Sequence, residues 1–378
     1  MVALVGVRLV DGTGGPALED ATVVLDHGRI RAIGGSRTAP AGACVVDLHG
    51  AWLTPGVIDT HVHLGLAGRS GPVLSALQGR SGPVFSALQG RSGPGRIIRR
   101  GVTAVRDLGW APERLGPLVA EAWSVGLLVH VVGPILTAPG GYPTRAAWAP
   151  AGTAHEVGSV DQAVRAVDAV MAGGACAVKV GLDDRSGPLL DALSLGALVE
   201  RAAEWGRPVT AHVGSADALA LALDAGVAEL AHIPFSPSPV PDHLVHRAVE
   251  AGVRLVPTLH CRDADPSGSR MAASGFLRRW VAAGGSVVYG TDLGNSCTSP
   301  GVDGRELALL SAAGMTPGSV VVTATSAAAH AIGAGDLTGR VAPGLRADLL
   351  VLDADPLTDP VALAHPRWVI AGGRPVAW

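Results

Sequence analysis

Eight strand-like apolar runs, separated by helix-like segments, constrain this sequence more than any other feature. They cover Val57–Leu64, Val102–Leu108, Leu127–Leu136, Ala175–Leu182, Pro208–Gly214, Glu229–Ile233, Val253–Leu259 and Ser286–Asp292. Such alternation is the pattern of a parallel α/β fold, because parallel neighbours need a helix-length crossover between them. One intervening helix is well marked. Ser159 and Gln162 form a capping-box pair, Val160, Val164, Val167 and Met171 fall on one face, and Gly173-Gly174 ends it. Eight units in about 280 residues predict a (β/α)8 TIM barrel, for which about 250 residues is typical. An open doubly wound sheet is the alternative, but no glycine-rich phosphate turn follows any of the strands.

The two ends of the chain follow a different pattern. Val2–Val10, Ala21–Asp26, Arg29–Gly34 and Cys44–Leu48 read as short strands, with Asp11-Gly12 and His27-Gly28 as turns. Ala347–Asp353 and Trp368–Ala371 are strands again, followed by Gly372-Gly373. The expected organisation is therefore a barrel over 55–337 and a small β-sandwich-like domain assembled from 1–54 plus 338–378.

Within the barrel, the stretch Pro55-Gly-Val-Ile-Asp-Thr-His61-Val-His63 ends a strand in two histidines spaced i, i+2. Side chains alternate along a strand, so both imidazoles face one way. They are either half of a metal site or two strand histidines with satisfied hydrogen bonds. Barrel active sites lie at the C-terminal strand ends. The polar residues expected there are His61, His63, Asp107, Lys179, His212, His232 and Asp292. Lys179 is flanked by apolar residues, where a charged amine is costly to bury. Each residue alone has a bland reading, but the set arriving at successive strand ends favours a site.

Other partner classes are disfavoured. The net charge is −3, only 16% of residues are charged, and the aromatics are eight Trp, two Tyr and three Phe, so nucleic acid is not expected. No run reaches the ~18 apolar residues of a membrane span. Met1–Arg8 lacks the basic start of a signal peptide, so a soluble, cytoplasmic protein is expected, with homo-oligomerisation left open. Cys44, Cys176, Cys261 and Cys297 show no paired spacing, which indicates neither disulfides nor a thiolate metal site.

These segments resemble the amidohydrolase superfamily over nearly the whole chain, most nearly its imidazolonepropionase/prolidase-like branch. The resemblance rests on Pro55–His63, Gly101–Gly109, Gly133–Gly141, Ala177–Val180, Val209–His212, Glu229–His232, Gly290–Asp292 and Gly339–Leu349. It implies a binuclear metal site, usually zinc, with manganese, cobalt or iron as alternatives. His61, His63 and Asp292 would hold one ion, His212 and His232 the other. Lys179, converted by carbon dioxide to a carbamate, would bridge them. The implied reaction is hydrolysis of an amide bond, in a cyclic amide or imide, a short peptide or an N-acyl amino acid. A hydroxide shared by the two ions would attack, and Asp292 would carry its proton to the leaving nitrogen.

The chain departs from that pattern in places. Tyr142 stands where many relatives have a histidine after the Gly-Gly of the third-strand loop; it is either a substrate contact or packing. His260, just past the seventh strand, either borders the pocket or packs. The loop after Asp292 also lacks a histidine. A near-perfect tandem repeat, Arg69–Gly79 and Arg80–Gly90 with a third start at Arg91–Pro94, is either a lid or a tolerated expansion. A lactone or phosphotriester hydrolase would use the same site. A deaminase is disfavoured, because Val213, Gly214 and Ser215 follow His212 without a glutamate. A non-catalytic scaffold would be expected to have lost ligands, and none is missing.

Overall fold

The computed structural model describes residues 1–35, 38–67, 93–234, 238–264, 269–295 and 297–376. The tandem repeat, up to its last residues Gly93 and Pro94, lies outside them.

Both ends of the chain build one eight-stranded sheet. Its strands, numbered in chain order, are β1 (Val2–Leu9), β2 (Leu18–Asp26), β3 (Arg29–Gly35), β4 (Cys44–Asp47) and β5 (Trp52–Pro55), joined by β16 (Leu349–Leu352), β17 (Trp368–Ala371) and β18 (Arg374–Pro375). The order is β18-β17-β16-β5-β1-β2-β3, with β4 also on β1. The first half of β1 takes β4 as a parallel neighbour and its last residues take β5. Leu4, Val7, Leu9, Val23, Leu53, Leu349 and Val351 form the buried face. Asp348, inside the Gly339–Leu349 segment, is fixed by Thr338 Oγ1, Arg346 Nη1 and the backbone N–H of Gly372, while its own carbonyl accepts from Gly56 N.

Between the ends, parallel strands alternate with helices. β6 (Val57–Val62), β7 (Val102–Asp107) and β8 (Leu128–Val131) make one sheet. The other contains β9 (Ile135–Thr137), β10 (Ala154–Glu156), β11 (Val178–Leu182), β12 (Val209–Val213), β13 (Glu229–Leu230), β14 (Arg254–Leu255) and β15 (Ser286–Val287), in the order β10-β9-β11-β12-β13-β14-β15. Backbone hydrogen bonds link the two sheets on both sides. Thr60 N donates to Tyr289 O and Asp292 N to His61 O on one, and Cys176 N to Val131 O on the other. The chain thus has the α/β fold with parallel strands expected of it.

Four details differ from the sequence reading. The run Leu127–Leu136 is two strands, interrupted at Val132-Gly133-Pro134, where Gly133 has φ +74 and proline has no N–H to give a ladder. The sixth, seventh and eighth runs keep only two ladder residues each, β13, β14 and β15. The helix Val160–Ala172 buries Ala163, Ala166, Val167, Val170 and Met171 and leaves Val160 41% exposed, so its packed face is turned toward the alanines. Ser159 caps that helix through Gln162 N, but the Gln162 side chain accepts from Gly158 N rather than completing the box. No helix among the described residues is long and apolar enough to cross a membrane. None of the four cysteines forms a disulfide.

Candidate metal centre

The strand ends bring five of the six expected side chains around Asp292. His61 Nε2 and His63 Nε2 lie 3.2 and 3.3 Å from Asp292 Oδ1, and His232 Nε2 lies 3.9 Å from Oδ2. One ligand-capable atom from each of His61, His63 and Asp292 falls within 4.8 Å of the others. The His212 ring centre is 4.9 Å from that of His232. Lys179 Nζ is buried beneath them, close enough for its charge to act on all four histidines and Asp292. Asp292 itself sits at φ +57 just past the β15 segment, a costly backbone state for a non-glycine residue.

What stands behind the rings fixes their direction. His61 Nδ1 is 2.8 Å from Ala231 O and His63 Nδ1 is 3.1 Å from Gly109 O. A carbonyl only accepts, so each Nδ1 carries the proton and each Nε2 turns a lone pair inward. Asp107 is a structural residue: its carboxylate accepts from Leu64 N and Gly109 N, tying together the segments that leave β6 and β7. Beneath the site, Arg106 and Glu229 form a fully buried pair at 2.5 Å, and Arg106 Nε donates to Thr60 O on the histidine strand.

Burial shifts the charges toward those a metal needs. It lowers His61 to about 4, His212 below its usual value, and His232 well below it, keeping these imidazoles neutral. Burial alone would raise Asp292, but His61, His232 and His63 together hold it well below the usual carboxylate range. His63 is raised, since the nearby Asp292 outweighs its burial. Burial takes Lys179 down to about 7, against the pull of Asp292.

These groups fit divalent cations. Lys179 Nζ, His61 Nε2 and Asp292 Oδ1 are buried without a hydrogen-bond partner, an arrangement that proteins avoid unless something else satisfies the atoms. Imidazoles whose Nε2 atoms face an ionised carboxylate, with His61, His212 and His232 kept neutral by burial, are a suitable donor set.

The centre opens into a cavity of about 200 Å³, lined by His63, His212, His232 and Asp292 and, beyond them, Leu66, Tyr142, Trp148, Asp183, Arg185 and Asn295. Tyr142 stacks on His212 at 4.4 Å. Gly181 makes room for it, because a Cβ there would meet Tyr142 O at 2.3 Å. His260 is not among the lining residues; its Nδ1 is 2.6 Å from Asp303 Oδ2. Sequence reasoning missed Asp183, Arg185, Trp148 and Asn295. Asp183 is buried, accepts from Arg185 and Ser186, and lies 3.9 Å from His212 Nε2. The signal available for it was a polar cluster, Asp183-Asp-Arg-Ser186, directly after a strand.

The family comparison agrees with this geometry. Residues 52–374 match the model of the Amidohydrolase family. The chain therefore belongs to that family of hydrolytic enzymes, which generally use divalent metals. It is 42% identical to an imidazolonepropionase of Cupriavidus necator over 64 residues, a stretch that covers 16% of this chain and 15% of that one. An uncharacterised Mycobacterium tuberculosis protein is 29% identical over 359 residues, covering 89% of this chain and 88% of its own. Among solved structures, a putative prolidase from Bifidobacterium longum superposes with a TM-score of 0.79 at 25% identity, covering 100% of this chain and 94% of the other.

Proposed function

We propose that the chain hydrolyses a carbon–nitrogen amide bond at a two-cation centre. The observation that carries this reading is the inward-facing group of buried atoms without hydrogen-bond partners, Lys179 Nζ, His61 Nε2 and Asp292 Oδ1. His61, His63 and Asp292 would hold one cation and His212 and His232 the second, and Lys179, as its carbamate, would supply an anionic ligand to the centre. Zinc suits imidazole and carboxylate donors, and manganese, cobalt or iron are the alternatives. Bound there, such cations would supply a water activated near neutral pH and polarisation of the scissile carbonyl.

The chain's own residues do the rest. A lysine held near 7 presents neutral amine at physiological pH, which attacks carbon dioxide with loss of one proton and becomes an anion. Asp292 accepts a proton from the attacking water as the carbon–oxygen bond forms. It then delivers the proton to the leaving nitrogen as the carbon–nitrogen bond breaks. The Tyr142 phenol, on the cavity wall, donates to the substrate's carbonyl oxygen. The confined cavity and its Tyr142–Trp148 wall suit a compact substrate: a cyclic amide or imide, a short peptide or an N-acyl amino acid. The likeness to a putative prolidase supports the peptide member of that set. The same reading takes 55–337 as a closed (β/α)8 barrel, with β8 and β9 sharing its third strand, and 1–54 plus 338–378 as a composite β-sandwich-like domain.

The test is Asp292→Asn beside the wild type, in a hydrolysis screen of N-acyl amino acids, Xaa-Pro and other dipeptides and cyclic imides, with metal analysis. The wild type is expected to hold two equivalents and turn over, and the variant to keep much of its metal and lose most turnover. Full activity in the variant removes Asp292's role. Less than one equivalent of metal in wild type grown with zinc removes the centre.

A further inference from the structure

The histidines of the site differ in what holds them from behind. His61 and His63 lean on backbone carbonyls, whereas His232 Nδ1 lies 2.7 Å from the side-chain Oγ1 of Thr258. A hydroxyl can donate as well as accept, so its placement has to do what a carbonyl does by chemistry alone. Thr258 is fully buried and has φ +48. That region is uncommon for any non-glycine residue and an outlier for a β-branched one. Neither glycine nor asparagine, which enter it easily, stands there. Such strain persists where the surroundings over-determine it. Here the Thr258 carbonyl accepts from Cys261 Sγ, and the Glu306 carboxylate takes the N–H groups of Leu259 and His260, so the backbone on the C-terminal side of the threonine is pinned.

The geometry points to Thr258 as the positioning residue of His232. Its hydroxyl accepts from Nδ1–H, which fixes the tautomer with the lone pair on Nε2. It also keeps the ring turned so that Nε2 faces the same space as Asp292 Oδ2, 3.9 Å away. The left-handed backbone at the end of the seventh strand segment is retained because it presents the hydroxyl behind the ring. This inference rests on the two-cation reading: the Thr258 hydroxyl controls the His212/His232 position and leaves the His61/His63/Asp292 position alone. Partners behind metal-bound histidines typically change affinity by ~10–100-fold when removed, which sets the size expected.

The experiment titrates zinc, and separately cobalt, into the chelator-stripped full chain of wild type, Thr258→Val, Thr258→Ala and Thr258→Ser. Binding is read by calorimetry and by the cobalt absorption spectrum, and the fold by circular dichroism. Valine keeps the shape and the branched β-carbon but lacks the hydroxyl, alanine lacks both, and serine restores the hydroxyl. Thr258→Val and Thr258→Ala are expected to bind the second equivalent ~10–100-fold more weakly than wild type with the first unchanged, and Thr258→Ser to match wild type. Unchanged second-site affinity in a folded hydroxyl-free variant overturns the assignment, as does a serine variant as weak as valine. Wild type that takes up less than one equivalent overturns the two-cation reading and this one with it. Wild type that takes up two, with variants indistinguishable from it, overturns this one alone.

Discussion

Replacing Glu229 by glutamine tests the support beneath the site. Arg106 and Glu229 have no solvent-exposed side-chain surface and meet at 2.5 Å, while Arg254 Nε reaches the other carboxylate oxygen at 3.3 Å. Arg106 Nη1 has no hydrogen-bond partner, so the carboxylate is the main compensation for that buried guanidinium. Removing one partner of such a pair costs ~3–5 kcal/mol, because the remaining charge stays buried. Unfolding entropy of ~2.1 cal/mol/K per residue over the chain's 378 residues gives ~0.8 kcal/mol/K, so the melting temperature should fall by ~4–6 °C. Arg106→Met should cost a similar amount. The double variant Arg106→Met/Glu229→Leu should be clearly more stable than the sum of the two losses, since well-packed apolar residues can replace a buried pair. Denaturant melts of wild type, Arg106→Met, Glu229→Leu and the double variant make the cycle, the two losses being those of Arg106→Met and Glu229→Leu, with Glu229→Gln melted beside them. A glutamine variant within 0.5 kcal/mol of wild type, or strictly additive losses, would refute the reasoning.

Four further outcomes follow from the site. Burial moves Lys179 from 10.5 to about 7, so between those values the unfolded chain binds a proton that the folded chain has released, and stability rises with pH. Metal-free Lys179→Met should therefore gain most over metal-free wild type below pH 7 and nothing above about 10.5; a pH-independent gain in paired melts would contradict the shift. Lys179→Ala should lose metal and activity, with partial recovery in added short carboxylic acids that stand in for the carbamate, and an unaffected variant would exclude the bridge. Tyr142→Phe should keep its metal and its stacking on His212 but lose about a hundredfold in kcat, the usual cost of one oxyanion donor, so unchanged steady-state kinetics would remove that role. Chelation should lower the melting temperature, since a ligand at a hundred times its Kd contributes ~2.7 kcal/mol to the folded state; identical melts with and without chelator would argue against a bound ion.

Local features were legible and long-range ones were not. Strand alternation and the i, i+2 spacing of His61 and His63 depend on neighbours in sequence, so they could be read directly. Lys179 was visible because a lone charge among apolar residues is anomalous wherever the strand lies. The break at Gly133-Pro134 was in plain view, yet the surrounding apolar run masked the resulting pair of short strands. Val160 illustrates the limit of periodicity: it shares a helical face with Val164 and Val167, but the packing partner chose the alanines. Asp183 had only a polar cluster after its strand to mark it, and Thr258 and the Arg106–Glu229 pair carried no local sign, because each matters through a residue on another strand.

The sheet shared by both chain ends has a consequence for biogenesis. β5 runs straight into the strand that carries His61 and His63, and its partner in the sheet, Leu349–Leu352, is made only after all of β6 to β15. Until that segment leaves the ribosome, the edge of β5 and the Gly56 N–H lack their final neighbours. The histidine strand is thus synthesised well before its anchor, and cation loading in the cell should await the emergence of Leu349–Leu352.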